Sequence, residues 1–319
     1  MDYELLIQHG SKIYQPIVEE GVQWETERKG VPGKLSFKVL KDATISFTEG
    51  DAVRLKVNGE KIFYGFIFQK KRDKQGIITV TAYDQLRYLK NKDTYAYANK
   101  TASEVVTMLA GDFNLQCGSL EDTKFKIESK IEDNQTLFDI IQNALDLTLE
   151  SKSEMYVLYD DFGKLTLKNI GNMKVGILID EDTGENFDYS SSIDGETYNK
   201  IKLSYENEET GKREIYIAGD SSHINQWGVL QYFETIDEKV NGKAKADALL
   251  KLYNQKTRNL TIKGAFGDVR VRGGSLIAVS LNLGDIIANS FLLVEKVKHT
   301  FNENLHTMDL TLRGGEFIA

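Results

Sequence analysis

Short runs of alternating apolar and polar residues fill the N-terminal part of the chain. Four runs rich in β-branched and aromatic residues, each bounded by Gly, Asn or Asp, are typical of strands; they are Leu35–Val39, Ala52–Val57, Phe63–Phe68 and Ile77–Tyr83. Asn58-Gly59 predicts a two-residue hairpin turn, because both central residues of a type I′ turn need positive φ. Several strands joined by short turns predict a small β-barrel domain over residues 1–87.

The hydrophobic period changes after Leu86. Thr101 and Glu104 have the spacing of a capping box, and the apolar residues Val105, Val106 and Leu109 follow. A second helix is predicted from about Thr136 to Leu149, with one apolar face formed by Leu137, Ile140, Ile141, Ala144 and Leu145. The stretch Met155–Ile170 alternates on both sides of Asp161–Gly163 and predicts a hairpin. Residues 88–195 therefore form a predicted α+β domain.

β character resumes after an acidic, turn-rich stretch, Asp180–Gly195, which is predicted to be loop and domain boundary. A strand at Asn199–Tyr205, a Glu-rich turn through Gly211 and a strand at Arg213–Ala218 come next. A helix is predicted at about 242–256 and a strand at Leu260–Phe266.

The last part of the chain repeats the pattern of the first. Val271–Gly314 and Phe47–Asp84 each contain a Gly-polar turn, an apolar strand, a second Gly turn, a Phe-rich strand that ends in charge, a polar turn and an alternating strand. Residues 196–319 are therefore predicted to be a second β-barrel domain with one inserted helix. The predicted fold is mainly β, with two similar small tube-like barrels flanking or packing on the α+β domain.

Composition and charge exclude several classes of protein. The chain has 319 residues, 41% hydrophobic and 28% charged, which is ordinary for a globular protein and disfavours disorder. A net charge of −8, with no basic run longer than Lys70–Arg72, counts against a protein that binds duplex DNA tightly. No secretion signal or membrane span is expected. Cys117 is the single cysteine, which suits a reducing cytoplasm, and is interpreted as a small apolar filler rather than a reactive thiol.

Candidate catalytic and metal-binding residues are few. The four histidines are His9, His223, His299 and His306, and none lies in an HExxH or GxSxG motif. His299 and His306 lie on adjacent strands of one predicted hairpin, where a cross-strand polar pair is favoured over half of a metal site. The acid pairs Asp160 with Asp161 and Glu181 with Asp182 could serve glycoside hydrolysis, but neighbouring acids are normally solvated turn formers.

Two further patterns also favour structural roles. Gly273-Gly274 and Gly314-Gly315 lack the Lys and helix of a phosphate-binding loop and are interpreted as turn glycines at strand ends. Tyr64, Phe66 and Phe68 share one face of a strand and Phe63 faces the other way with Gly65; this aromatic run favours barrel core over a stacking platform for sugars or single strands. We therefore predict no catalytic, cofactor-binding or metal-ligating residue.

A chain that builds one small β domain twice can stand for two subunits of a ring. Closed rings bury strand edges, and a trimer of such a chain would place six similar barrels around one axis. The pattern therefore favours an assembly that matches a three-fold neighbour to a six-fold one, although tandem barrels also occur in monomeric binding proteins.

The chain resembles the XkdQ/YqbQ-type tail proteins of phage-like elements, which are related to the central baseplate hubs of contractile phage tails and to the gene D late-control proteins. The segments that carry the resemblance are Asp133–Thr148, Tyr156–Ile170, Ala246–Ile262, Phe291–Phe301 and the last strand, HTMDLTL. They contain no catalytic signature, and the resemblance covers most of the chain.

The resemblance implies a homotrimeric hub without enzymatic activity or cofactor. Its two barrels per subunit would form a pseudo-six-fold ring that continues the hexameric tail tube, with the α+β domain outside. The implied partners are the tail tube protein, the central spike protein and the baseplate wedge proteins, and the implied location is the bacterial cytoplasm during assembly and then the baseplate. No fused lysozyme or peptidase is expected after the last strand, near Phe317–Ala319. The alternative is a cell-wall or carbohydrate-binding module, with or without peptidoglycan hydrolase activity.

Overall fold

The computed structural model describes residues 2–41, 44–184, 186–207, 211–236, 240–284 and 287–314. The protein is mainly β, with its strands arranged in several sheets. It divides into two compact units, the first formed by Met1–Asp188 and Leu260–Leu312 and the second by Tyr189–Asn259 with Arg313 and Gly314. The end of the predicted second barrel, Glu316–Ala319, lies outside the described residues.

The N-terminal strands of the first unit belong to one large sheet, in the order β3-β4-β7-β6-β5-β1-β2. They are β1 (Tyr3–His9), β2 (Lys12–Tyr14), β3 (Val22–Glu27), β4 (Lys34–Leu40), β5 (Ala52–Val57), β6 (Glu60–Arg72) and β7 (Ile77–Tyr83). Burial alternates along β5, where Val53, Leu55 and Val57 are buried. Asn58 and Gly59 have φ of 49° and 83°, which confirms the predicted hairpin turn.

An α+β region follows in the same unit. It contains a short 3₁₀ helix (Gln85–Lys90), β8 (Lys92–Lys100), α1 (Ala102–Asp112), β9 (Cys117–Leu120), β10 (Ile127–Thr136), α2 (Leu137–Lys152), β11 (Tyr156–Asp160) and β12 (Leu165–Asn169). Thr101 and Glu104 form the capping box of α1, as predicted. Thr136 caps α2, and Ser153 ends it with φ of 56°. The predicted hairpin at 155–170 is confirmed as β11 paired with β12.

The remaining strands of the large sheet come from two separate parts of the chain. They are β13 (Lys174–Ile179), β14 (Asn186–Ser192), β18 (Thr257–Phe266), β19 (Leu276–Asn282), β20 (Ile287–Phe301) and β21 (His306–Gly314), with a 3₁₀ turn at Ile170–Asn172. β20 pairs antiparallel with β3, from Lys296 opposite Glu27 to Phe301 opposite Val22. The first and last strands of the chain therefore share one sheet.

The prediction of loop over Asp180–Gly195 was wrong at its centre. Asn186–Ser192 is a strand that lies next to β18 in the large sheet. Its polar sequence, NFDYSSS, has low strand propensity, and its pairing with a neighbouring strand supplies the backbone hydrogen bonds that stabilise it. Tertiary pairing thus overrides local propensity at this position.

The sequence repeat is visible as a repeated strand pattern. β5, β6 and β7 are consecutive strands with a long central member, and β19, β20 and β21 follow the same order. β6 pairs antiparallel with both of its neighbours, and β20 lies between β21 and β3 while its first half pairs with β19. The two sets of strands differ in their neighbours, because β20 also pairs with β3, and β19 pairs parallel with β13 whereas β5 pairs antiparallel with β1.

The second unit is a three-stranded sheet covered by one helix. Its elements are β15 (Lys200–Asn207), β16 (Lys212–Gly219), α3 (Ser221–Trp227), β17 (Gln231–Thr235) and α4 (Gly242–Tyr253). β15 lies between antiparallel β16 and parallel β17. Ala246 and Leu249 of α4 are buried in one cluster with Ile201 and Leu203. The predicted inserted helix is confirmed, and most of the predicted Glu-rich turn, 208–210, lies outside the described residues.

Candidate functional site

A buried polar junction joins three parts of the first unit. We define it by five residues: Gly33 directly before β4, Asp84 directly after β7, Asp160 at the end of β11, and Arg272 and Gly273 shortly before β19. Asp84 and Asp160 are only 5% and 9% exposed, so both carboxyl groups are enclosed by protein. The sequence alone does not reveal this cluster, because its members come from well-separated stretches of the chain that only the fold brings together.

Asp84 binds backbone N–H groups on both sides of its carboxyl group. Its Oδ2 accepts from Gly33 N at 2.9 Å and its Oδ1 from Leu86 N at 3.0 Å. It caps the 3₁₀ helix at Gln85–Lys90, which explains why an Asp follows the strand here. Burial, and after it the charge of Asp160, raises the pKa of Asp84 well above its ordinary value.

Asp160 is the second carboxylate of the junction. Its Oδ1 accepts from Gly163 N at 2.6 Å, as expected of a turn former, but the prediction that it is solvated was wrong. Burial raises the pKa of Asp160 to about 6. Arg272 donates from Nη1 to the Asp160 carbonyl at 3.1 Å, and its guanidinium lies 4.4 Å from the centre of the Tyr159 ring. Each carboxylate oxygen of Asp84 accepts one backbone hydrogen bond, and these two bonds hold the junction in place.

Neutralising the two carboxyl groups is expected to change the free energy of unfolding in opposite directions. Asp160→Asn is expected to raise the free energy of unfolding at pH 7.5 by about 1–2 kcal/mol, because it removes a buried charge and keeps the oxygen that accepts from Gly163. The gain should disappear below pH 4, because a raised folded-state pKa lowers stability only once pH exceeds the unfolded-state pKa, where the unfolded carboxyl releases a proton that the folded one keeps. Denaturant unfolding of both proteins across this pH range measures the difference.

Asp84→Asn is the matched comparison for this prediction. Its amide N–H₂ would face a backbone N–H whichever way it is oriented, so a loss of about 2 kcal/mol is expected at pH 7.5. Equal effects of the two substitutions would contradict the roles given to Asp84 and Asp160.

The paired glycines before β19 sit where side chains cannot fit. Gly273 N donates to Thr26 Oγ1 at 2.9 Å, and a Cβ at Gly273 would lie 2.4 Å from the carbonyl carbon of Glu27. Gly274 has φ of 93° and packs against Val157. They are confirmed as turn glycines at a strand end, and Gly314 ends β21 while Gly315 lies outside the described residues.

His299 and His306 form the predicted cross-strand polar pair. His299 Nε2 lies 2.9 Å from Val271 O, which can only accept, so that nitrogen carries the proton. His299 Nδ1 then accepts from His306 Nε2–H at 2.9 Å. Burial lowers the pKa of His299 to about 3 and that of His306 to about 4, so the pair is neutral at pH 7. Within the described part of the chain, no group of three or more His, Cys, Asp or Glu side chains could hold a metal ion.

The other candidates occupy ordinary positions. Phe63, Gly65 and Ile67 face the core, while Tyr64, Phe66 and Phe68 are half-buried on the opposite face of β6. Asp161, Glu181 and Asp182 are exposed in turns. The interpretation of Cys117 as a filler was wrong, since it is exposed on β9; partial desolvation raises the pKa of its thiol, which disfavours the reactive thiolate. No helix among the described residues has the length and apolar character to cross a membrane.

Sequence comparison finds relatives along nearly the whole chain. Protein YqbQ of Bacillus subtilis is 32% identical over 307 residues, which cover 92% of this chain and 91% of that protein. The phage-like element PBSX protein XkdQ of Bacillus subtilis is 31% identical over 309 residues and 92% of each chain.

Solved structures share the fold at much lower identity. The 43 kDa tail protein of prophage MuSo2 from Shewanella oneidensis has a TM-score of 0.71 at 13% identity, covering 97% of this chain and 98% of that one. The E. coli c3393 protein, a component of the type VI secretion system with structural similarity to T4 tail proteins gp27 and gp5, has a TM-score of 0.58 at 12% identity. The match covers 98% of this chain and 78% of that one.

The family model described as YqbQ-like matches residues 22–313, and the chain belongs to that family.

Proposed function

We propose that this protein is the central baseplate hub of a contractile phage or phage-like (tailocin) tail. Three copies form a pseudo-six-fold ring that joins the hexameric tail tube to the trimeric central spike. The observation that carries the proposal is the repeated strand pattern, β5–β7 and β19–β21, in a chain whose relative XkdQ belongs to a phage-like element. The fold shared with a prophage tail protein and with a type VI secretion component supports it.

In this proposal the two β segments, residues 1–87 and 196–319, provide tube-like barrel modules, and residues 88–195 lie outside the ring. A trimer then offers six similar modules to the tube and three equivalent sites to the spike. The partners are the tube, spike and baseplate wedge proteins, and the mature location is the baseplate after assembly in the bacterial cytoplasm. The net charge of −8 per chain suits a channel that lets DNA pass without tight binding.

We propose a structural role without catalysis or cofactor. The buried carboxylates Asp84 and Asp160 accept hydrogen bonds from backbone N–H groups, and the histidine pair is neutral. Groups enclosed in this way do not reach a substrate, whereas a hydrolase needs an acid and a base that do.

Two measurements separate this function from a cell-wall hydrolase or binding module. The chain is expected to release no dye from labelled peptidoglycan, and to assemble at about three times 36.1 kDa in sedimentation at high concentration or with its tube and spike partners. Turnover on peptidoglycan would contradict the structural role. A chain that stays monomeric even with its partners would contradict the hub.

A further inference from the structure

A basic groove of about 430 Å³ lies on the first unit, beside the β5–β6 hairpin. Its lining combines apolar side chains with four cations, and consists of Leu6, Arg54, Lys56, Lys61, Tyr64, Gln116, Phe162, Gly163 and Lys164. This concentration of positive charge is unusual for a chain with a net charge of −8. A concave surface of this size with a few polar groups is typical of binding sites.

The aromatic rings of the groove hold the cations in place. The Arg54 guanidinium lies 5.7 Å from the centre of the Tyr64 ring, and Lys61 Nζ lies 5.3 Å from the centre of the Phe162 ring. Gly163 packs on Tyr64 so closely that a Cβ there would lie 2.6 Å from a ring carbon. Because these ring surfaces are already covered, the groove is poorly suited to stacking bases or sugars, and it instead presents charged donors to an anion.

Two of the cations are available to a ligand. Lys56 is paired with Glu4 at 2.8 Å, and Arg54 donates to Gln8 at 2.9 Å. Lys61 and Lys164 are exposed, and neither makes an ion pair with any described residue. An incoming carboxylate would therefore find two uncompensated ammonium groups beside the apolar surface of Leu6 and Phe162.

The chain carries a segment of complementary chemistry. We call residues 180–188 the acidic segment, of which 180–184 and 186–188 are described. Glu181, Asp182 and Asp188 are exposed and make no ion pair with described residues of their own chain, including the groove lysines. Phe187 in the same segment is 42% exposed, which is unusual for a large apolar side chain.

We propose that the basic groove binds the acidic segment of a second copy of this chain. Carboxylates of Glu181 and Asp182 would pair with Lys61 and Lys164, and Phe187 would bury its ring against Leu6. Groove and segment are different surfaces, so each copy uses one of each, and contacts of this head-to-tail kind can close into a ring. The inference rests on the proposed trimeric hub and gives its subunit contact a location.

A labelled peptide of residues 178–190, LIDEDTGENFDYS, tests the groove without requiring assembly. Fluorescence anisotropy should show binding to the full-length protein, weakened at least about tenfold by Lys61→Glu with Lys164→Glu. The control, Lys71→Glu with Lys74→Glu, makes the same charge change outside the groove and should leave binding unchanged. No binding to the wild-type protein, equal loss in both variants, or tighter binding of a single-stranded oligonucleotide would overturn the inference.

Charge exchange tests the contact in the assembly. The groove variant, and a segment variant with Glu181→Lys and Asp182→Lys, should each shift sedimentation at low salt from the trimer toward the monomer. All four substitutions in one chain should restore the trimer. A trimer that is unaffected by the groove variant would overturn the inference and leave the hub standing. Peptide binding through the groove by a chain that never forms a trimer would support the contact and contradict the hub.

Discussion

Gly273→Ala is expected to remove at least about 3 kcal/mol from the free energy of unfolding. The new methyl group would lie 2.4 Å from the carbonyl carbon of Glu27 and 2.5 Å from Arg28 N, and these backbone atoms cannot move without displacing β3. β3 pairs with both β20 and β4, so the displacement would disturb the sheet at the pairing that joins the two ends of the chain.

Gly111→Ala is the matched control for this substitution. Gly111 lies in the last turn of α1, and an added Cβ there meets nothing within 4 Å. Its replacement should raise stability by about 0.5 kcal/mol, because Ala is the better helix former. Denaturant unfolding of both variants measures the contrast. A Gly273→Ala protein as stable as the wild type would show that β3 and the turn at Gly273 are not in close contact.

Acidification from pH 7.5 to pH 5 is expected to remove about 2 kcal/mol of stability through His299 alone. Its folded-state pKa is lowered to about 3 from an ordinary value of 6.5, chiefly by burial. The unfolded state therefore binds a proton between pH 6.5 and pH 3 that the folded state does not, and stability falls as pH decreases through that window. Asp268 and Arg272 also face the ring, with opposite effects on its pKa.

The variant His299→Phe isolates this contribution. At pH 7.5 it should be less stable than the wild type by about 2 kcal/mol, because Val271 O and the His306 N–H lose their buried partner. The difference in free energy of unfolding between the two proteins should shrink by about 2 kcal/mol on acidification to pH 5, since Phe binds no proton. Asp84 and Asp160 titrate in both proteins, so their effects cancel in the difference.

Val269→Ala serves as the control for the pH profile, because it changes packing against the same core and adds no titrating group. The free energy of unfolding of Val269→Ala, plotted against pH, should run parallel to that of the wild type. A constant gap between the wild type and His299→Phe across the pH range would show that His299 is not held neutral.

Local sequence patterns predicted most of the individual elements. The capping box at Thr101, the Asn58-Gly59 turn and the hairpin around Asp161–Gly163 depend on neighbours in sequence, and each was located correctly. The helix at Gly242–Tyr253 has the same local origin. Strands such as β14 were missed because their polar residues are stabilised by pairing with a distant strand.

The buried junction could not be predicted from local pattern. Asp84 and Asp160 each have the appearance of ordinary turn acids, and only the packing of β11 and the turn at Arg272 against the end of β7 encloses them. The histidine pair was predictable because a short hairpin brings His299 and His306 close together on neighbouring strands. The groove cations Lys61 and Lys164 gave no signal, since lone lysines beside turns are usually solvated.

Cryo-electron microscopy of the chain assembled with its tube and spike partners tests the central proposal most directly. The quantity to measure is the number of copies in the ring between tube and spike. The hub account predicts three copies, with the two β segments of each copy alternating around the axis at steps of about sixty degrees. Six copies in that ring, or a chain located outside it, would contradict the account.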